Sequence, residues 1–204
     1  MISLVVATWN AHKVAEIQNI LGPGFACLPL TAFPAAPRLV EDGETFAANA
    51  TRKAVQLATW LKTQGLGTQE GRGGAEAQPT RLVLADDSGL EVDSLSGAPG
   101  VHSARFAADE LGAGTNASDT ANNAKLLRLL KEVPWEKRTA RFHCVLALVD
   151  VNPQSAIRNC LMAPAKAGSG SRREDEEGSA TIRSSCRTGS TFRLPNWGRT
   201  SRTG

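Results

Sequence analysis

Residues 82–92 read LVLADDSGLEV, an apolar run that drives into two adjacent carboxylates. Like charges side by side repel, so an acidic pair at the mouth of a buried strand usually has a cation or a proton to manage. Successive strand side chains point to opposite faces, so Asp86 and Asp87 cannot both meet one ligand unless the chain bends there. The reading is that Ser88–Gly89 supplies a turn, with one carboxylate holding it and the other facing a cleft; an Asx-turn that merely ends a strand is the alternative. Two further polar clusters stand ahead of it. ATWNAHK, residues 7–13, lies at a strand-to-helix junction where backbone N–H groups and Lys13 could hold phosphate oxygens, although a capped helix with a surface lysine reads the same way. EDGETFAANATRKA, residues 41–54, offers Glu41 and Asp42 before a helix and Lys53 along it, a pattern shared with ordinary acidic helix starts.

The elements that must position these clusters alternate between strand and helix. ISLVVA is a short β-branched run of the kind found in strands covered on both faces. It leads into TWNAHKVAEIQNIL, where Val14, Ile17, Ile20 and Leu21 suggest a helical face and Asn10 a cap. A second helix is predicted from about Glu44 to Lys62, with Phe46, Ala50, Ala54, Leu57 and Leu61 on one side. The Gly-rich stretch from Thr63 to Thr80 predicts a mobile loop. Then come the strand RLVLA, a helix through SDTANNAKLLRLLKEV and a strand in RTARFHCVLALVD. That order predicts an α/β domain with a central sheet.

Composition limits the function classes. The chain has 204 residues, 41% of them hydrophobic, which suits one sizeable domain, alone or with an appendage. No apolar stretch approaches a membrane span and the start lacks the marks of a signal peptide, so a cytoplasmic protein without membrane contact is expected. Cys27, Cys144, Cys160 and Cys186 show no close pairing, so neither a zinc site nor a disulfide framework is indicated. The net charge of +3 divides into −1 over residues 1–158 and +4 over residues 159–204. A uniformly basic nucleic-acid-binding face is therefore not expected.

Taken together, ATWNAHK, LVEDGETFAANATRKA, LADDSGLEVDSLSGAPGVHSARF, NNAKLLRLL and RTARFHCVLAL occur in one order. From about Ile2 to Asp150 the chain resembles the inosine triphosphate pyrophosphatase family, ADDSGL with GAPG being the most specific part. The resemblance implies an elongated mixed central sheet flanked by helices, a homodimer if the C-terminus is intact, and Mg²⁺-dependent hydrolysis of ITP, dITP and XTP to monophosphate and pyrophosphate. It implies that Thr8, Trp9, Asn10, Ala11, His12 and Lys13 form a phosphate-binding loop, that Glu41 is a metal ligand, and that Lys53 and Ser88 contact substrate. Asp87 matches the proton acceptor and second metal contact, which leaves Asp86 to hold the turn. Ala48 departs from the glutamate of many relatives.

After Asp150 the resemblance stops. The reading assigns a pyrophosphatase domain to residues 1–158 and a non-homologous tail to residues 159–204. Rich in Ser, Arg, Gly and Thr, the tail is expected to be disordered or misfolded. Back-translated with permitted codons and read one base earlier in each codon, EGSATIRSSCRTGST becomes GFGYDPLFVPDGFD, close to the family's purine-site loop. This predicts a frame slip between about Val149 and Leu161, in the cell or in the sequencing. The chain as written would keep its phosphate and metal residues without the purine-reading half. Two alternatives stand beside this reading: a nucleotide-binding pseudoenzyme, and a pyrophosphatase of the septum-formation-inhibitor type.

Overall fold

The computed structural model describes residues 2–66, 81–110, 112 and 116–151, and the backbone of residues 160–165 and 191–193. Its elements run β1 (Ile2–Val6), α1 (Ala11–Leu21), β2 (Phe25–Leu28), α2 (Phe46–Thr63), β3 (Arg81–Val92), α3 (Asp119–Leu129), β4 (Thr139–Asp150), β5 (Cys160–Ala165) and β6 (Thr191–Arg193). Strand order is β2-β1-β3-β4-β5, with β6 paired to β4. β1 is parallel to β2 and β3, whereas β6 is antiparallel to β4, so the sheet is mixed. This is the α/β class with flanking helices that the sequence predicts. Two compact units divide it: residues 1–87 with 145–162, and residues 88–144 with 163–204.

In the first unit, β1 carries the continuous apolar run and buries Leu4, Val5 and Val6, while Val83 and Ala85 extend the core along β3. α2 supplies the other wall through Phe46, Ala50, Ala54, Leu57, Ala58 and Leu61, the face read from the sequence. Thr45 caps it, its hydroxyl accepting the Ala48 N–H at 3.1 Å. The predicted face of α1 holds only in part. Val14 is buried, but Ile20 is 81% exposed and Leu21 lies at the margin. The reason is angular: six residues at about 100° each bring Ile20 about 240° round from Val14, off the buried stripe. β2, not predicted from the sequence, is pinned to α1 by Gln18. The Gln18 Nε2 donates to the carbonyls of Gly22 (2.9 Å) and Phe25 (3.1 Å), and its Oε1 accepts the Cys27 N–H (2.9 Å).

The second unit has its own core of Val92, Leu126, Leu130 and Ala140, with Leu90, Leu95, Phe106 and Val133 against it. α3 is capped by Ser118, whose hydroxyl accepts the Ala121 N–H. Lys125 Nζ donates to the Phe106 carbonyl at 2.6 Å and to Asp109 at 2.8 Å. The expected turn at Ser88–Gly89 is not there: β3 continues unbroken to Val92, and the chain turns afterwards, around Ser96 and Gly97 at positive φ. The expected mobile loop falls mostly on residues 67–80, outside the described residues, as does most of the tail. Within the tail, β5 and β6 are described as backbone strands.

Candidate active site

β1 delivers the first cluster. The Ala7 N–H donates to the Leu84 carbonyl at 2.7 Å and the Leu30 N–H to the Thr8 carbonyl at 3.2 Å, which fixes the loop between β1 and α1. Asn10 is the N-cap: extended at φ −83° and ψ 105°, it accepts the N–H groups of His12 (3.0 Å) and Lys13 (3.4 Å) on Oδ1. Its own N–H donates to Thr8 Oγ1 at 3.2 Å. The capped-helix reading of ATWNAHK thus describes the structure, and a phosphate there would compete with Asn10 for two donors. Trp9 is 54% exposed, and Ala11 and His12 are also exposed.

Lys13 does not stand as a lone surface cation. Its Nζ pairs with the Asp86 carboxylate, 73 residues away in sequence. Asp86 therefore holds Lys13 and not a turn, a correction to the sequence reading. Because β3 stays extended, Asp86 and Asp87 project to opposite faces, and each negative charge meets its own partner. For Asp87 that partner is Asn49, whose Nδ2 donates to Oδ2 at 3.0 Å. Both carboxylates are buried. Charge repulsion within the pair is limited by geometry, and no bend is required.

The segment ahead of α2 brings two predicted residues together. Lys53 Nζ lies 2.7 Å from Glu41 Oε1, the lysine side chain 9% exposed and the glutamate 41%. Asp42 pairs instead with Arg52. The Gly43 N–H donates to Asn49 Oδ1 at 2.7 Å, so the segment bearing Glu41 is tied to α2 by the same side chain that meets Asp87. Ser88 follows Asp87 on β3, half-buried. Asn49 was not singled out from the sequence, and Asp86 was given a turn to hold and not its Lys13 partner. The one local signal for Asn49 was a polar residue beside Ala50 on a mostly apolar helical face that also carries Lys53.

A family model described as the Ham1 family matches residues 4–160, spanning β1 to the start of β5. The chain belongs to the Ham1 family. Among curated relatives of this Ham1 chain, the "dITP/XTP pyrophosphatase" of Desulforamulus reducens is 47% identical over 150 residues, covering 73% of this chain and 63% of the relative. That of Geobacter sulfurreducens is 48% identical over 149 residues, with 72% and 63% covered. The chain thus spans a little under two thirds of the length of these relatives. Among solved structures, a HAM1 protein from Coxiella burnetii aligns at TM-score 0.58 and 34% identity, covering 80% of this chain and 69% of that one. No helix among the described residues of the Ham1 chain is long and apolar enough to cross a membrane.

Proposed function

We propose that the chain hydrolyses deaminated purine nucleoside triphosphates, ITP, dITP and XTP, to the monophosphate and pyrophosphate. The observation that carries the reading is the company Asp87 keeps: a buried carboxylate oriented by an amide, in the same compact unit as the Glu41–Lys53 pair and Lys13. The names of the relatives support it. Domain boundaries at 1–158 and 159–204, a cytoplasmic location and a homodimer if the C-terminus is intact belong to the same proposal. So does a tail read out of frame.

Cleaving a phosphoanhydride requires neutralising a polyanion and presenting water in line with its proton removed. Lys13 and Lys53 supply positive charge for phosphate oxygens, and the α1 N-terminus with Thr8 and Asn10 supplies donors. Trp9, Ala11, His12 and Ser88 complete the substrate surface. Asp87 accepts the water's proton, held in register by Asn49. Among the described residues no cluster of three or more His, Cys, Asp or Glu forms a metal site. Two carboxylates nevertheless fit Mg²⁺, a hard cation that often takes one or two carboxylates and fills the rest of its shell with phosphate and water. Glu41 and Asp87 would hold it, and bound Mg²⁺ would offset charge on the phosphates.

Pyrophosphate release from ITP, dITP, XTP, ATP, GTP and dTTP, with and without Mg²⁺, tests the proposal, with Asp87→Asn as the control. Mg²⁺-dependent release from the deaminated purines, lost in Asp87→Asn, is expected. Nucleotide binding without release would favour a pseudoenzyme. Release confined to dTTP, the pyrimidine of the panel, would favour the septum-formation-inhibitor type. Comparable release from ATP, GTP and ITP would show that the purine-reading half is missing.

A further inference from the structure

We infer that Asn49 is a positioning residue, a single buried amide that fixes the Glu41 segment and the Asp87 carboxylate relative to each other. The inference rests on the proposed roles of those two acids. Asn49 is 1% exposed and sits in the first turn of α2, its own N–H donating to the Thr45 carbonyl at 3.0 Å. Its side chain then spans two elements. The Gly43 N–H reaches its Oδ1 at 2.7 Å, and its Nδ2 reaches Asp87 Oδ2 at 3.0 Å.

The partners assign the orientation of the amide. A backbone N–H can only donate, so it requires the oxygen; an ionised carboxylate can only accept, so it requires the nitrogen. Reversing the amide would break both hydrogen bonds at once. Gly43 is matched to this arrangement. A Cβ there would stand 2.8 Å from Asn49 Oδ1 and 2.9 Å from Ala48 Cβ, so any larger residue would push the segment off the amide. Asn49, Gly43 and Asp87 therefore form one clamp built from a loop, a helix and a strand. Neither aspartate nor leucine can replace the asparagine. Aspartate keeps the acceptor for Gly43 but turns a second carboxylate toward Asp87, and leucine loses both bonds.

The test compares Asn49→Asp, Asp87→Asn, the exchanged double variant and Gly43→Ala, measuring pyrophosphate release and thermal unfolding for each. Asn49→Asp is expected to lower kcat by roughly 10- to 100-fold, the scale of a misplaced catalytic group, with KM within about twofold because the Asn49 amide is buried and spent on Gly43 and Asp87. Its unfolding midpoint should fall and should recover in the Asn49→Asp, Asp87→Asn double variant, in which the donor and acceptor have exchanged places. The double variant stays inactive. Gly43→Ala should lower kcat in the same direction while leaving Asn49 itself intact.

An active wild-type protein whose Asn49→Asp and Gly43→Ala variants keep wild-type kcat overturns the inference alone. So does a double variant whose unfolding midpoint shows no recovery, because the hydrogen bond to Asp87 would then not be the one described. A rise in KM equal to the fall in kcat/KM overturns it as well, since Asn49 would then act on substrate binding. A wild-type chain that releases no pyrophosphate overturns the functional reading, and the inference with it.

Discussion

Replacing Glu41 should destabilise the protein more than replacing its ion-pair partner Lys53. Lys53 lies on the buried face of α2 with its side chain 9% exposed, whereas Glu41 is 41% exposed. Removing Glu41 leaves an ammonium group almost out of water without that partner. Breaking a fully buried pair from one side costs about 3–5 kcal/mol, and an exposed pair is worth about 0–1 kcal/mol. Solvent reaches this pair through the glutamate, so the value for Glu41→Ala falls between those limits, at about 2 kcal/mol. Lys53→Met keeps most of the apolar stem packed and leaves a carboxylate that water can solvate, so its cost should stay under about 1 kcal/mol. For a chain of this size, a difference of about 1 kcal/mol is about 2–4 °C in Tm. Urea and thermal unfolding of the two single variants and of the double would measure it. The double should be more stable than Glu41→Ala alone, because the stranded charge is gone. If Lys53→Met proves as damaging as Glu41→Ala, or if the two costs simply add, burial of the lysine charge is not what sets the energetics of the pair.

Three further outcomes follow from particular contacts. Leu57→Ala, at a fully buried position of α2, should cost about 2–5 kcal/mol, read as a lower urea midpoint at unchanged m. Asn10→Ala should remove about 1 kcal/mol of stability by uncapping α1, and should also raise KM in the pyrophosphate assay if the α1 N-terminus holds phosphate. In the second unit, the hydrogen bond from the Thr139 hydroxyl and the Arg141 guanidinium hold the Asp93 carboxyl below its usual range. A carboxyl whose folded value is depressed adds stability above its ordinary value near ~4, and that stability is lost as pH falls through the lower folded value. Unfolding midpoints followed from about pH 5 down to about pH 2 should therefore decline less steeply in Asp93→Asn than in the parent.

Local information made much of the scaffold legible. The β-branched run of β1 and the apolar stripe of α2 carry their own periods, and Asn10 caps α1 through atoms two and three residues away. The ordered clusters likewise pointed to the family on sequence alone. Ile20 lies off the buried stripe because apolar residues recurring at roughly helical spacing drift round the helix when the interval departs from the 3.6-residue turn.

What the tertiary structure decided is who meets whom. β2 is a strand because β1 offers it a parallel edge and Gln18 ties it down, neither of which is written in the four residues FACL. Asp86 meets Lys13 across 73 residues, and Asp87 meets Asn49 across 38. The sequence by itself determined that two carboxylates would stand adjacent at the end of a buried run. Only the folded chain decided that β3 runs straight through them, sending each to its own face and partner, because one hydrogen-bonded strand imposes alternation that no neighbouring residue could override.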